Sequence, residues 1–425
     1  MVEPTWSSEN RYTSALPRRD NRMAPTRRDV LRGGIGVAAL GLAGCVDLAD
    51  ASRWSMFRGE GNNQASTRGS LETPLRIDWE YDLTGVVDID TAEVHTSSPV
   101  ADDVSAYVAF RMQPADGTVG GIGVAAIDLA TGEERWSRFV EYDHPSPDAM
   151  VIPPVIADDL ITLFGATHAY VFDREQGHSR FDFPLPWVPA TTPGADRFLI
   201  ALGGQGIAIV DLEEDQGVRW DYPPDPHEVH QTNPPTVLDD RLYVPLDDGL
   251  IAMRRGDGIR LWQEPIPRED AMFTAPPLVD GYHLHLRVRL EDGTDELIAL
   301  ERGDRSIRWD EPLGPSSTEV IGMPAYRAGR LFATTDEELI AVFVGNGERD
   351  WSTSIDVGAP YPTVGGDKVY LVGDSSLVVF DRHAGDELDR VDLPGSAPRD
   401  PSEVVPREDV VVVSRSDSII GIASD

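Results

Sequence analysis

Carboxylates recur at one place in this chain, and their spacing could hold a cation. They stand in Glu93-Val94-His95, Asp148-Ala149-Met150, Glu228-Val229-His230, Asp270-Ala271-Met272 and Glu319-Val320-Ile321, each followed shortly by proline. If these segments enter equivalent strands of a ring, Glu93, Asp148, Glu228, Asp270 and Glu319 surround one mouth of its channel, with His95 and His230 two residues further in. Such a ring attracts cations or basic peptides. The competing reading is simpler: Asp and Glu cap turns, and an acidic protein has them at most turns. The other histidines say less. His227 and His230 have a spacing that suits a metal only on a helix, and Pro223, Pro224, Pro226 and Pro234 exclude one. His283 and His285 alternate on a strand and share a face, but no third ligand is identified, so no metal site is expected. There is no Gly-x-Ser-x-Gly elbow, P-loop or His-Glu-x-x-His helix. Gly203-Gly204-Gln205-Gly206 leads into a strand and not a helix N-terminus, so it cradles no phosphate. No catalytic residue is assigned.

Net charge narrows the partners. The 425 residues carry 73 acidic and 37 basic side chains, a formal charge of −36, and Lys368 is the only lysine. Such a surface repels nucleic acid and anionic membrane. It stays hydrated when salt screens self-repulsion, so a halophilic source is expected. Hydrophobic residues make up 40% of the chain and recur as Val-, Ile- and Leu-rich strands, which excludes a disordered acidic protein.

The N-terminus has the form of an address. Arg27 and Arg28 precede an apolar stretch from Gly33 to Gly44, too short to span a bilayer. That order is a signal peptide's, and the paired arginines resemble a twin-arginine (Tat) export signal. Leu42-Ala43-Gly44-Cys45 resembles a lipobox, and Cys45 is the only cysteine. Lipid on Cys45 would hold the chain to the outer face of the cytoplasmic membrane, since two acyl chains suffice for stable anchoring. Residues 1–45 are expected as signal and 46–70 as tether and lead-in. Met23 gives a more conventional signal length than Met1 and is the expected start.

The rest of the chain repeats about every 40 residues. Each unit reads strand, turn, strand, loop, strand, a glycine turn and a strand carrying an aromatic residue. Trp136, Trp220, Trp262, Trp309 and Trp351 hold that last place, with Phe181 in one unit and no aromatic in 360–393. The final unit lacks its tryptophan strand, whereas Leu75–Tyr81, around Trp79, stands unpaired before the first unit. Seven complete units plus one shared between the ends predict an all-β, eight-bladed β-propeller over 71–425. Its blades would be four-stranded and antiparallel, with the ring closed by the N-terminal strand. An open solenoid would need no split unit.

Ala126-Ile127-Asp128-Leu129-Ala130-Thr131-Gly132-Glu133-Glu134-Arg135-Trp136 resembles the PQQ-type propeller repeat, and Trp54–Gln64 resembles the segment that often precedes its first blade. The family includes quinone-dependent dehydrogenases and the outer-membrane assembly lipoprotein BamB. The resemblance implies that the repeated tryptophans and glycines, Trp79 among them, dock blade to blade. The dehydrogenases hold PQQ and Ca²⁺ at the propeller axis and insert long caps between blades. Several stack adjacent cysteines on the cofactor. This chain has no adjacent cysteines and no long caps, so no cofactor is expected. The leading expectation is a binding scaffold for exported or membrane proteins; the alternatives are a PQQ-dependent alcohol or sugar dehydrogenase and a solute or glycan sensor.

Overall fold

The computed structural model describes residue 59 and residues 64–425, apart from 87–90, 115–119, 142–150, 166–167, 185–189, 194–197, 204–205, 213–217, 223–232, 234, 247–248, 316–322, 358–359 and 398–402. Among these residues one short 3₁₀ turn, Leu83–Gly85, interrupts an otherwise all-strand structure, and no helix is long and apolar enough to cross a membrane.

Seven blades fold from successive stretches of chain: 91–141, 155–184, 190–222, 236–265, 272–315, 325–354 and 363–392. An eighth sheet joins both ends, with Leu75–Asp82 antiparallel to Ser418–Ser424 and Trp79 opposite Gly421. The expectation of eight uniform four-stranded, antiparallel blades needs correction: seven blades form from continuous stretches of chain, the remaining sheet is a composite of two distant segments, and strand number varies. Three of the sheets have five strands. In the first and fifth blades the inner strand breaks in two, so Thr91–Thr96 and Val100–Ala101 both pair with Ser105–Pro114. Met272–Phe273 and Leu278–Val279 likewise both pair with His283–Arg289. The prolines between the pieces, Pro99 and Pro276–Pro277, have no N–H to continue a ladder. In the seventh blade the extra strand is Ser66–Thr67, which runs parallel to Thr363–Gly365.

That added strand belongs to the lead-in. Gln64, Ala65, Ser66, Thr67 and Leu71 are buried. Gln64 donates from Nε2 to the Val279 carbonyl and accepts at its own carbonyl from the Tyr326 N–H. Val364 N–H donates to Ala65, and Thr67 Oγ1 donates to the Pro406 carbonyl. Residues 64–67 thus touch the inner edges of the fifth, sixth and seventh blades and of the closing sheet.

The core lies in the seams between sheets. Second and third strands are buried on both faces, as in Leu160–Phe164 and Leu331–Thr334, which is why they read as unbroken apolar runs. Fourth strands alternate, with exposed and half-buried residues taking turns along Arg180–Pro184 and Leu261–Pro265. One apolar cluster joins Tyr107, Val124 and Trp136 of the first blade to Ile156, Ile161 and Phe172 of the second. Another joins Leu297 and Trp309 of the fifth to Tyr326, Leu331 and Ile340 of the sixth.

Candidate functional site

Among the described residues four seams share one plan, and the departures from it mark the places with chemistry. The fourth-strand tryptophan sits opposite a small third-strand residue beside a bulge: Ala126 for Trp136, Ala252 for Trp262, Ala299 for Trp309 and Ala341 for Trp351. Its ring then meets the glycine turn of the next blade. Trp79 packs on Gly132, Trp136 on Gly177, Trp309 on Gly347 and Trp351 on Gly385. A Cβ on Gly347 would lie 2.8 Å from the Trp309 ring, and its φ of +77° already favours glycine. Trp79, Trp136, Trp309 and Trp351 donate from Nε1 to the carbonyls of Leu129, Arg174, Val344 and Arg382, at 3.0, 3.0, 2.6 and 3.1 Å. Those carbonyls identify equivalent positions in four blades. At Trp262 the glycine place belongs to Arg305, with φ +64° and its guanidinium 5.7 Å from the ring centroid. For Trp220 the strand Val218–Tyr222 is described, but its side chain lies outside the described residues.

The acidic column is described at three of its seven positions. Glu93 is exposed, His95 is half-buried, and they stand 3.3 Å apart on the inner strand of the first blade. Asp270 is exposed in a turn at φ +52°. Asp148, Glu228, His230 and Glu319 lie outside the described residues, as do Arg27, Arg28 and Cys45.

His283 and His285 do share a face, and the structure adds the partner that sequence reasoning missed. Asp280 ends the inner strand of the fifth blade. Its Oδ1 accepts from the backbone N–H groups of Tyr282 and His283, both at 2.6 Å. Its Oδ2 lies 3.3 Å from His283 Nδ1 and 3.0 Å from His285 Nε2. Asp280 and His285 are buried and His283 is half-buried. Glu301 Oε1 stands 3.8 Å from the far nitrogen of His283. The first blade carries the same turn with other residues. Asp102 Oδ1 accepts from Val104 and Ser105, and its Oδ2 accepts from the Tyr107 hydroxyl at 2.9 Å. Aligning the blades turn by turn, Asp102-x-x-Ser105-x-Tyr107 on Asp280-x-x-His283-x-His285, is the signal that could have found Asp280.

Tyr107, Tyr243, His285 and Phe332 occupy one structural place, 5.9–6.0 Å from the tryptophan of their own blade. His285 also stacks at 6.3 Å on Tyr326 of the next blade. Burial pushes its imidazole below the ordinary histidine pKa and nearby His283 adds to this, against the pull of Asp280. Burial alone would raise Asp280, but the hydrogen bond and charge of His285 and the two backbone N–H groups outweigh it and hold the carboxyl below the usual aspartate range. Both shifts act in one direction. A base depressed by folding, and an acid depressed by folding, each contribute stability that is present above the unfolded-state pKa and lost as pH falls toward the folded one. With EDTA present, the urea midpoint is expected to fall between about pH 7.5 and 5.5, where the unfolded histidine protonates. The H285Y variant should lose less over the same interval, and equal losses would show that His285 does not set this dependence.

Residues 269–422 match the family described as outer membrane protein assembly factor BamB. The chain folds as a β-propeller, and within it residues 269–422 are similar to that family. Among solved structures, Saccharomyces cerevisiae Sqt1 is similar at a TM-score of 0.57 and 8% identity, covering 83% of this chain and 100% of that one. The Dos1 propeller is similar at 0.56 and 8%, covering 82% and 95%. At these identities the likeness is one of fold alone. BamB from Moraxella catarrhalis aligns at a TM-score of 0.43 and 13% identity, covering 83% of this chain and 98% of that one. No curated protein matches the chain.

Proposed function

We propose that this protein is an exported propeller lipoprotein, held by lipid on Cys45 at the outer face of the cytoplasmic membrane, and that it serves as a docking scaffold for other exported or membrane proteins. The observation that carries the reading is the match of residues 269–422 to an outer membrane protein assembly factor, in a chain that opens with paired arginines, a short apolar stretch and a lone cysteine after Leu-Ala-Gly. The blade architecture supports it. Side chains that pack the seams are spent on holding the ring, while the loops between strands are free to vary and to bind. Net charge of −36 favours basic or cation-bearing partner surfaces over nucleic acid.

The test is fractionation followed by capture. In the native host the wild type is expected in the membrane pellet and released by detergent, and Cys45→Ser is expected in the soluble or secreted fraction. Co-purification from detergent-solubilised membranes should then recover the same exported or membrane proteins with the wild type in replicate. A wild type found in the soluble fraction would remove the anchor from this reading, and empty captures would remove the scaffold.

A further inference from the structure

The geometry of the fifth blade points to something the scaffold reading does not contain: we infer that Asp280, His283 and His285 form a binding site for a divalent first-row transition ion of the Zn²⁺ type. The donor set is two imidazole nitrogens and one carboxylate oxygen, which suits such an ion and is a poor match to Ca²⁺ or Mg²⁺, ions held by oxygen alone. One ligand atom from each residue lies within 4.8 Å of the other two. Asp280 Oδ2 stands 3.3 Å from His283 Nδ1 and 3.0 Å from His285 Nε2. A tetrahedral ion with bonds of about 2.0–2.1 Å places neighbouring ligand atoms roughly 3.3 Å apart, so two edges of the site are already near their bound lengths.

The surroundings fix the ligands in the manner of a built site. The two backbone N–H groups on Asp280 Oδ1 hold the carboxylate so that Oδ2 faces the rings. Glu301 stands behind His283 as the outer carboxylate that metal-bound imidazoles commonly have. His285 Nδ1 is buried and, among the described residues, has no hydrogen-bond partner, so only Asp280 orients that ring through a hydrogen bond. Three protein ligands leave a coordination position for water. Access is from the side of Tyr282, which is 61% exposed and neighbours His283.

A comparison between seams is the second, independent observation. In the first seam the carboxylate of Asp102 meets a cation from the next blade, Arg174, at 3.2 Å. In the fourth seam Arg302 of the fifth blade reaches the Tyr243 hydroxyl at 3.1 Å and Asp239 at 3.5 Å. The residue of the sixth blade at the place of Arg174, identified by the tryptophan hydrogen bond to its carbonyl, is Val344. The fifth seam therefore keeps the buried carboxylate and lacks the guanidinium, and two histidines stand where the first blade has Ser105 and Tyr107. A bound cation supplies the missing positive charge.

The full chain in detergent, stripped with EDTA and dialysed, is titrated with Zn²⁺ by calorimetry and with Co²⁺ by visible absorption. The wild type is expected to take up one equivalent that H283S and H285Y lack, and to show the Co²⁺ d–d bands of a low-coordinate nitrogen and oxygen site. These substitutions install the residues of the first blade at the same places, so turn and seam packing are kept. Glu301→Gln is expected to weaken Zn²⁺ binding roughly 10- to 100-fold. Should H285Y fail to fold, H283S, at the half-buried position, decides alone. A wild type that takes up no stoichiometric Zn²⁺ or Co²⁺, or H283S binding as tightly as wild type, overturns the site and leaves the scaffold reading untouched.

Discussion

Trp79→Ala is expected to destabilise the protein by about 3–5 kcal/mol, the usual cost of truncating a buried tryptophan. Trp79 holds the chain ends together and joins the closing sheet to the first blade. Its ring is 8% exposed and its Nε1 donates to Leu129. On one side it packs on Gly132. On the other, a Cβ at Gly421 would fall 2.0 Å from the ring, closer than any side chain tolerates. The third-strand residue opposite a seam tryptophan is alanine in four blades, and here it is glycine, whose missing Cβ leaves the room that this ring occupies. Trp262→Ala is the internal control: that ring is only half-buried and is covered by Arg305. It should cost clearly less. Urea unfolding of the two variants gives the comparison, and equal losses would mean that the closing seam is no more than one seam among several.

Asp295→Ala is expected to cost a similar amount, about 3–5 kcal/mol, for an electrostatic reason. Asp295 is 1% exposed and binds two guanidinium groups, Arg287 Nη2 at 3.0 Å and Arg289 Nε at 2.9 Å. Arg287 is equally buried and also donates to the Thr334 carbonyl of the sixth blade at 2.9 Å. Burial pushes its pKa down to about 10, and Asp295 is the foremost group opposing that fall. Removing the carboxylate leaves a cation in the seam without its closest counter-charge. The paired variant, Arg287→Met with Asp295→Ala, removes both charges and should recover most of the loss, because buried ion pairs replaced by apolar groups are often close to neutral. A double variant as unstable as the single one would assign the loss to packing and not to charge.

Much of this architecture was legible in one dimension. A blade is a local unit, so its strands, its Asp and Gly turns and its tryptophan recur at a fixed period. The Asp128 carboxylate that caps Ala130 and Thr131, and the Asp381 carboxylate that caps His383 and Ala384, are short-range contacts that any copy of the repeat makes. The split last unit announced the pairing of Leu75–Asp82 with Ser418–Ser424 because an unpaired edge strand on one end needs a gap on the other.

The repeat, the residues that make the seams and the strand that joins the two ends all follow from a pattern local to each blade. The exceptions to that pattern come from packing between elements. The parallel strand Ser66–Thr67, the replacement of a turn glycine by Arg305 over Trp262, and the meeting of Asp280 with His283 and His285 all depend on how one element lies against another. Periodicity describes what every blade shares, whereas a site arises where one blade departs from its neighbours. The chemistry of that departure depends on distances of about 3 Å that no spacing along the chain encodes.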